Sequence, residues 1–153
     1  MGRGGRVRGA AFGEKVMLRL DIKREDWSNG AAVWLSNACD EDYTIKHLQA
    51  DVEAETNALF NVYEDGLHIA SMVLRVDSLA SGKDLVVVAA GGYGKGFSLY
   101  KQITPFCENL AASLGCKRLR GHCTQKSIGR LMERAGWLPY EFVYERKVLT
   151  DGQ

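Results

Sequence analysis

The chain has 153 residues, a formal net charge of +1, 46% hydrophobic residues and 25% charged residues. This length and composition predict one globular domain with its own core, and the balanced charge excludes a general electrostatic attraction to nucleic acid or to a membrane surface. No apolar run approaches the roughly 20 residues that a membrane span needs, so a soluble cytoplasmic protein is expected.

The cysteines and histidines are not spaced in the sequence as metal ligands usually are. The four cysteines contain no CxxC pair and the three histidines are scattered, so we expect reduced thiols and no metal site. These residues are Cys39, Cys107, Cys116, Cys123, His47, His68 and His122.

The first residues differ in character from the rest of the chain. Arg3, Arg6 and Arg8 stand among glycines, with no acidic residue in the first twelve positions. This composition predicts a flexible basic arm over residues 1–14, with the folded domain over residues 15–150. The alternative is an arm that docks on a partner.

The first half of the domain predicts a strand, two helices and a hairpin. Residues 15–22 alternate apolar and polar side chains, as a half-buried strand does. Helices are expected from near Ser28 and from Thr44, which can cap the second one. Apolar β-formers at 59–63 and 67–76 flank Glu64-Asp65-Gly66, which predicts an antiparallel hairpin.

A strand, a glycine-rich turn and a helix follow one another between residues 83 and 114. Residues 85–90 are apolar β-formers, four glycines lie within residues 91–96, and an apolar stripe at helical spacing follows. Such a turn at a helix N-terminus can bind a phosphate, although a tight turn can also use glycines without a ligand. Pro105 either kinks a helix that begins at Ser98 or begins the regular helix itself. The stripe consists of Leu99, Ile103, Phe106, Leu110 and Leu114.

The remaining residues predict a strand, a helix and a last strand. Gly115 can end the preceding helix, residues 117–124 form a strand, and a helix that buries Met132 closes at Gly136. Alternation of Phe142 and Tyr144 with Val143 and Glu145 predicts the final strand. The order β, α, α, β, β, β, α, β, α, β defines an α/β fold. Its mixed sheet is mostly antiparallel, with helices on both faces and a parallel crossover at the glycine turn.

This element order, the glycine turn and the closing segment LAASLGCKRLRGHCTQKSIGRLMERAGWLPYEFVYERKVL resemble the GNAT superfamily of acyl-CoA N-acyltransferases. The resemblance is strongest to the small divergent GNAT-like proteins of bacteriophages and prophages. It implies a single GNAT-like domain that takes acetyl-CoA as co-substrate and needs no metal. It further implies that the strand before the turn pairs with the pantetheine arm and that the turn holds the pyrophosphate. The implied cofactor-binding residues are Val87, Val88, Ala89, Gly91, Gly92, Tyr93, Gly94, Lys95, Gly96 and Gln125.

Two positions depart from the family pattern. Gly91 stands where the pyrophosphate loop usually begins with Gln or Arg, and Met132 stands where a tyrosine commonly protonates the leaving thiolate. Methionine cannot donate that proton, so another group must supply it if the chain is active. The candidate catalytic residues are His122, Tyr100 and Glu64, with His68 and Tyr93 as further candidates.

Two functions follow from these observations. The first is an acetyl-CoA-dependent N-acetyltransferase that acts on an unidentified amine. The alternative is a non-catalytic GNAT-fold protein with a structural or host-interaction role in a phage. Acidic clusters around residues 40–42 and 51–55 can attract a cationic amine or simply be a solvated helix face. A protein partner or homo-oligomer would be expected to use Trp34, Trp137 or Tyr140.

Overall fold

The computed structural model describes residues 20–93, 96–123 and 126–149, with the backbone alone for residues 96–98. The predicted arm, Gly94, Lys95 and Gln125 lie outside the described residues. Among these residues no helix is long and apolar enough to cross a membrane. The elements are β1 (Leu20–Arg24), α1 (Asn29–Leu35), a 3-10 turn (Ser36–Ala38), α2 (Ile45–Glu53), β2 (Ala58–Glu64), β3 (Leu67–Leu79), β4 (Gly82–Gly92), α3 (Gly96–Ser113), β5 (Cys116–Gly121) and α4 (Lys126–Arg134).

The five strands form one mixed sheet in the order β1-β2-β3-β4-β5. Neighbours from β1 to β4 are antiparallel, while β5 runs parallel to β4 because α3 carries the chain across the sheet. Asp65 and Gly66 make the β2–β3 turn with φ of 50° and 86°, values that asparagine, aspartate and glycine tolerate best. The predicted α/β domain and its parallel crossover are confirmed.

Each face of the sheet has its own apolar core. On one face Ile103 and Cys107 of α3 pack on Met72 and Leu85. On the other face, residues of α1 and α2 pack on Leu59, Val73 and Ala89. Since successive side chains of a strand point to opposite faces, the apolar runs of β3 and β4 fill both cores. Helices therefore cover both faces, as the sequence predicts. The helical members of the second core are Ala31, Leu35, Leu48 and Val52.

The structure decides the question about Pro105. A single helix runs from Gly96 to Ser113 with Pro105 inside it, so the helix begins in the glycine turn and continues through the proline. Pro105 removes only one helical hydrogen bond, and Ile103 and Cys107 on either side remain buried. Leu114, predicted on the buried stripe, is 42% exposed because the helix ends one residue before it.

The final strand predicted over residues 142–145 is absent from the structure. Residues 137–149 form neither helix nor strand, and every residue from Glu141 to Leu149 is exposed. The alternation that suggested a strand is present in the sequence. A strand, however, exists only where a neighbour accepts its backbone hydrogen bonds, and within the part of the chain that the structure describes no strand pairs with this segment.

Candidate functional site

Strands β4 and β5 separate at one end of the sheet. Their parallel pairing ends where Val87 lies opposite Gly121, whereas β4 continues to Gly92. Among the described strands, residues 88–92 therefore have β3 on one side and none on the other. A gap between two parallel strands exposes unpaired backbone N–H and C=O groups, which an extended amide-containing ligand can satisfy.

A β-bulge marks the place where the gap begins. Val73 of β3 pairs with Ala89 and Leu74 pairs with Val87, which leaves Val88 as the extra residue of β4. As a result Val88 and Ala89 both face the core beneath α1 and α2. A bulge bends its strand and increases the local twist, so it helps to turn β4 away from β5.

Gly91 and Gly92 have a packing explanation. A Cβ on Gly91 would lie 2.0 Å from the carbonyl oxygen of Trp34, and a Cβ on Gly92 would lie 2.5 Å from the Cβ of Ala70. Any larger residue would push the end of β4 away from α1 and β3. The close approach of α1 thus explains why position 91 holds glycine and not a polar residue. Gly91 is therefore no evidence by itself for or against a phosphate-binding site.

The end of β4 is fixed before the chain turns into α3. Tyr93 donates its backbone N–H to the carbonyl of Ile69 over 2.8 Å, while its ring is 74% exposed. Two residues outside the described part of the chain, Gly94 and Lys95, then lead to Gly96, the first residue of α3. The N-terminus of an 18-residue helix therefore opens at the mouth of the gap, where its free N–H groups favour an anion.

Met132 belongs to the core. It is 8% exposed, and its terminal methyl would lie 3.1 Å from a Cβ placed on Gly121. Helix α4 therefore packs against the end of β5 through the residue that stands at the tyrosine position. No proton can come from this side chain.

Tyr100 lies near the start of α3 and packs against the core that α3 covers. Burial raises the pKa of its phenol, and the electrostatic interaction with Cys123, two residues after β5, raises the pKa further. The phenol is protonated at neutral pH and has a proton to donate, but the raised pKa makes it a weaker acid than an exposed tyrosine.

His122 follows β5 immediately. Because β4 and β5 are parallel and Gly121 lies opposite Val87, His122 stands level with the bulge residue Val88. Its side chain is exposed, and its charge contributes to lowering the pKa of Asp77, although Arg75 is the main cause. His122 is therefore placed at the mouth of the gap, on the α1 side of the sheet.

His68 begins a chain of hydrogen bonds under α1. Its Nε2 lies 2.9 Å from Ser71 Oγ, Ser71 donates to Asn61 Oδ1 over 2.6 Å, and Asn61 donates to Glu25 Oε1 over 2.8 Å. Because the Ser71 hydroxyl donates its only proton to Asn61, it can only accept a hydrogen bond from His68. The imidazole of His68 therefore carries a proton on Nε2. Hydrogen bonds from Tyr63 and then Asn61 hold the pKa of Glu25 below its usual range. This chain orients His68 beside the end of β4.

Glu64 is not brought to the gap. It ends β2 and pairs with Leu20 and Leu67, so it lies two strands from β4. At roughly 4.8 Å per strand this separation is about 10 Å across the sheet. Among the sequence candidates, Tyr93 directly follows the end of β4 and His122 directly follows β5. Tyr100 lies in the second turn of α3, and His68 lies along the neighbouring strand β3.

A cavity of about 320 Å³ lies between α2 and the ends of β1 and β2. Glu25, Asp26, Glu53 and Glu55 line it together with Arg24. It is separate from the gap between β4 and β5, and within the described residues no group of acidic, cysteine or histidine side chains has a metal-binding arrangement.

Sequence reasoning missed a buried ion network on the α1 side of β4 and β5. Asp84 is 1% exposed and accepts from Arg118 Nε over 3.0 Å, while Arg120 Nε lies 3.1 Å from its other oxygen. The Arg120 contact lacks hydrogen-bond angles and is an ion pair only. Arg75 and Arg120 also flank Asp77, at 2.7 and 4.0 Å. The alternation of Arg118, Leu119 and Arg120 was the available signal, since it places both arginines on one face.

A five-stranded mixed sheet whose parallel strands separate above a bulge, with a helix that starts at the gap, is the architecture expected for a GNAT-like domain. The protein resembles the solved structure of the aminoglycoside N-acetyltransferase AAC(6')-Iy in complex with CoA, with a TM-score of 0.63, 13% identity and coverage of 86% of this chain and 96% of that one. The GNAT fold suggested by the sequence is confirmed.

Two further acetyltransferases share the fold. Glucosamine-6-phosphate N-acetyltransferase from Arabidopsis thaliana matches with a TM-score of 0.61, 14% identity and coverage of 84% of this chain and 98% of that one. An acetyltransferase from Trypanosoma brucei matches with a TM-score of 0.58, 12% identity and coverage of 85% and 100%. No protein-family model and no curated protein sequence matches the chain.

Proposed function

We propose that the protein is an acetyl-CoA-dependent N-acetyltransferase that acts on an amine. The observation that carries this proposal is the gap between β4 and β5, which opens at Val87 and Gly121 beside a bulge and leads to the N-terminus of α3. The similarity to acetyltransferase structures, one of them bound to CoA, supports the same reading.

The gap suits the two chemically different parts of acetyl-CoA. Backbone groups of residues 88–90 would hydrogen-bond the amides of the pantetheine arm, as an added strand does. Free N–H groups at the start of α3 and the charge of Lys95 would hold the pyrophosphate, and Gln125, which follows β5 in the sequence, would supply an amide. When bound, acetyl-CoA supplies a thioester carbonyl as the electrophile.

The transfer requires two proton movements. The acceptor amine must lose a proton as its nitrogen attacks the thioester carbon, and the sulfur must gain one as the carbon–sulfur bond breaks. We assign proton donation to Tyr100, since Met132 is buried and has no proton to give. We assign removal of the amine proton to His122, which stands at the mouth of the gap opposite Val88.

Calorimetric titration with acetyl-CoA tests the binding step. We expect a dissociation constant on the order of 10–100 μM, and at least a tenfold increase for Lys95→Glu, because one charge-assisted hydrogen bond is worth about 1.5–3 kcal/mol. Lys46→Glu, which makes the same charge change on the exposed face of α2, is the matched control and should change the constant less than twofold. Absence of binding by the folded protein would overturn the proposal.

Proton donation is tested by Tyr100→Phe. We expect at least a tenfold fall in kcat with an unchanged KM for acetyl-CoA, because the phenyl ring keeps the packing and loses only the hydroxyl. The assay measures release of the CoA thiol in the presence of a panel of mono-, di- and polyamines. The descending alkaline limb of the pH–rate profile should also disappear in the variant. An unchanged kcat would remove Tyr100 from the mechanism.

A non-catalytic role for the GNAT fold is the second candidate, including the structural or host-interaction role in a phage. The observation that favours it is the absence of ionisable side chains from residues 85–92 of β4, where the gap lies. Acetyl-CoA binding without thiol release for any amine of the panel would favour this candidate over the enzyme.

A further inference from the structure

Next to the gap, the α1 face of the sheet changes from apolar to charged. Leu85 and Val87 belong to the core under α3, so Val86 between them points to the α1 face. Val86 is only 1% exposed, yet among the described residues it belongs to neither apolar core. Its lateral neighbours are Arg75 of β3 and Arg120 of β5. Two arginine side chains therefore border this part of the face.

Arg120 is short of hydrogen-bond acceptors. Its side chain is 20% exposed, and in the described part of the chain it lies 3.1 Å from Asp84, 3.7 Å from Glu141 and 4.0 Å from Asp77. The contact with Asp84 has no hydrogen-bond geometry, and the other two exceed hydrogen-bond distance. A guanidinium carries five N–H donors, and one that is mostly buried is normally hydrogen-bonded. Its terminal nitrogens, Nη1 and Nη2, can therefore serve a further acceptor.

Glu141 marks the place where such an acceptor would bind. Its carboxylate is 52% exposed and faces Arg120 Nη1 from a segment that is neither helix nor strand. An exposed ion pair of this length is weak, so another anion can replace the glutamate. Arg75 brings a second guanidinium to the same face, since it and Arg120 both approach Asp77. Two guanidinium groups side by side favour a carboxylate or a phosphate.

The two arginines lie close to the gap between β4 and β5. Val86, in their row of the sheet, comes two residues before the bulge residue Val88, a distance of about 7 Å along the strand. His122 follows Arg120 by two residues and lies on the same side of the sheet. Helix α3, whose start is proposed to hold the pyrophosphate, covers the other face. An acceptor would therefore approach the thioester from the face that carries His122 and the arginines.

We propose that the acceptor amine carries an anionic group, which displaces Glu141 and binds to Arg120 and Arg75 while the amine meets the thioester at the gap. This inference rests on the proposed acetyltransferase function and names its substrate class. The guanidinium groups lean toward Asp77 and Asp84, one row further from the gap than Val86. The anion and the reacting amine are therefore about 7–13 Å apart, so an amine directly beside a carboxylate is too close to it to react.

Matched acceptors test the charge. Release of the CoA thiol is measured with ω-aminohexanoate, ω-aminohexyl phosphate, hexylamine and hexamethylenediamine. We expect kcat/KM to be at least tenfold higher for the two anionic amines than for hexylamine and lowest for the diamine, because hydrogen bonds to a charged group are strong. The better anion identifies the group that the acceptor carries, and glycine should lose the advantage. A cationic acceptor, the hypothesis drawn from the acidic clusters, predicts the opposite order.

Two substitutions test the residues. Arg120→Gln should raise the KM for ω-aminohexanoate at least tenfold and leave the KM values for hexylamine and acetyl-CoA unchanged. Glu141→Gln removes the competing carboxylate and should lower the KM for ω-aminohexanoate by about two- to fivefold. Glu145→Gln, at an exposed glutamate four residues later, is the matched control and should change nothing. Circular dichroism and melting temperature check that Arg120→Gln is folded, and Glu141→Gln supplies the test if it is not.

The outcomes separate this inference from the function on which it rests. Equal kcat/KM values for hexylamine and the anionic amines would overturn the anionic acceptor and leave the acetyltransferase in place. An unchanged KM for ω-aminohexanoate in folded Arg120→Gln, or equal values for Glu141→Gln and Glu145→Gln, would do the same. Binding of acetyl-CoA without thiol release for any of these amines would overturn both the enzyme and its anionic acceptor.

Discussion

Replacement of Asp84 by alanine is expected to reduce the free energy of unfolding by about 3–5 kcal/mol, the cost of removing one member of a buried ion pair. Asp84 is 1% exposed and lies between the guanidinium groups of Arg118 and Arg120. Without the carboxylate, Arg120 Nε remains buried without its nearest partner, and the guanidinium keeps only the longer ion pairs with Asp77 at 4.0 Å and Glu141 at 3.7 Å. Urea unfolding followed by circular dichroism measures the change, and the slope with denaturant should stay the same.

Asp77→Ala is the control for the Asp84 variant. Asp77 also faces two arginines, but its side chain is 25% exposed, so water replaces much of what the substitution removes. We expect a loss of about 1 kcal/mol or less. If both variants lost the same free energy of unfolding, burial of Asp84 would not determine how much this residue stabilises the fold.

The network also joins β4 to the segment that follows α4. Arg118 and Arg120 connect Asp84 to Tyr140 and Glu141. Asp84→Ala should therefore release this segment as well as loosen β5 from β4.

Gly91→Ala is the second substitution with a large expected effect. The added Cβ would lie 2.0 Å from the Trp34 carbonyl oxygen, and neither the backbone of α1 nor that of β4 can yield without moving an element. Overpacking against side chains reduces the free energy of unfolding by about 1–3 kcal/mol. Because the contact here is with backbone, we expect a loss of about 3 kcal/mol or more for this variant. Thermal and urea unfolding measure the loss of stability.

The same variant should impair acetyl-CoA binding. Gly91 lies one residue before the end of β4, so a displacement there moves the unpaired backbone of residues 88–92 relative to α3. We expect at least a tenfold weaker affinity by calorimetry at a temperature where the variant is still folded. Gly129→Ala in α4 is the matched control. Its Cβ would lie 3.4 Å from Cys123 Sγ, and a helical alanine should raise stability by up to about 1 kcal/mol. A fully stable Gly91→Ala protein would show that the contact relaxes at little cost.

The order of strands and helices could be predicted from the sequence because the patterns that specify it are local. The Asp65-Gly66 turn, the apolar run of β4, the glycines before α3 and the cap at Gly115 each specify one backbone feature from adjacent residues. Element order then restricts the topology, since a strand, a helix and a further strand produce a parallel crossover. For the same reason the position of the candidate site at the end of β4 was predictable.

The bulge at Val88, the ion network at Asp84 and the lack of a strand over residues 142–145 could not be predicted in this way. Each depends on residues distant in sequence: Val88 on its pairing with β3, Asp84 on two arginines more than 30 residues away, and residues 142–145 on a strand partner that the described residues do not supply. Identical alternation fits a paired strand and an exposed segment equally well. The sequence by itself determined the fold class and the place of the glycine turn, because short-range conformational preferences dictate them. Only the tertiary structure decided which side chains and edges have partners, because partners are fixed by contacts across the sheet.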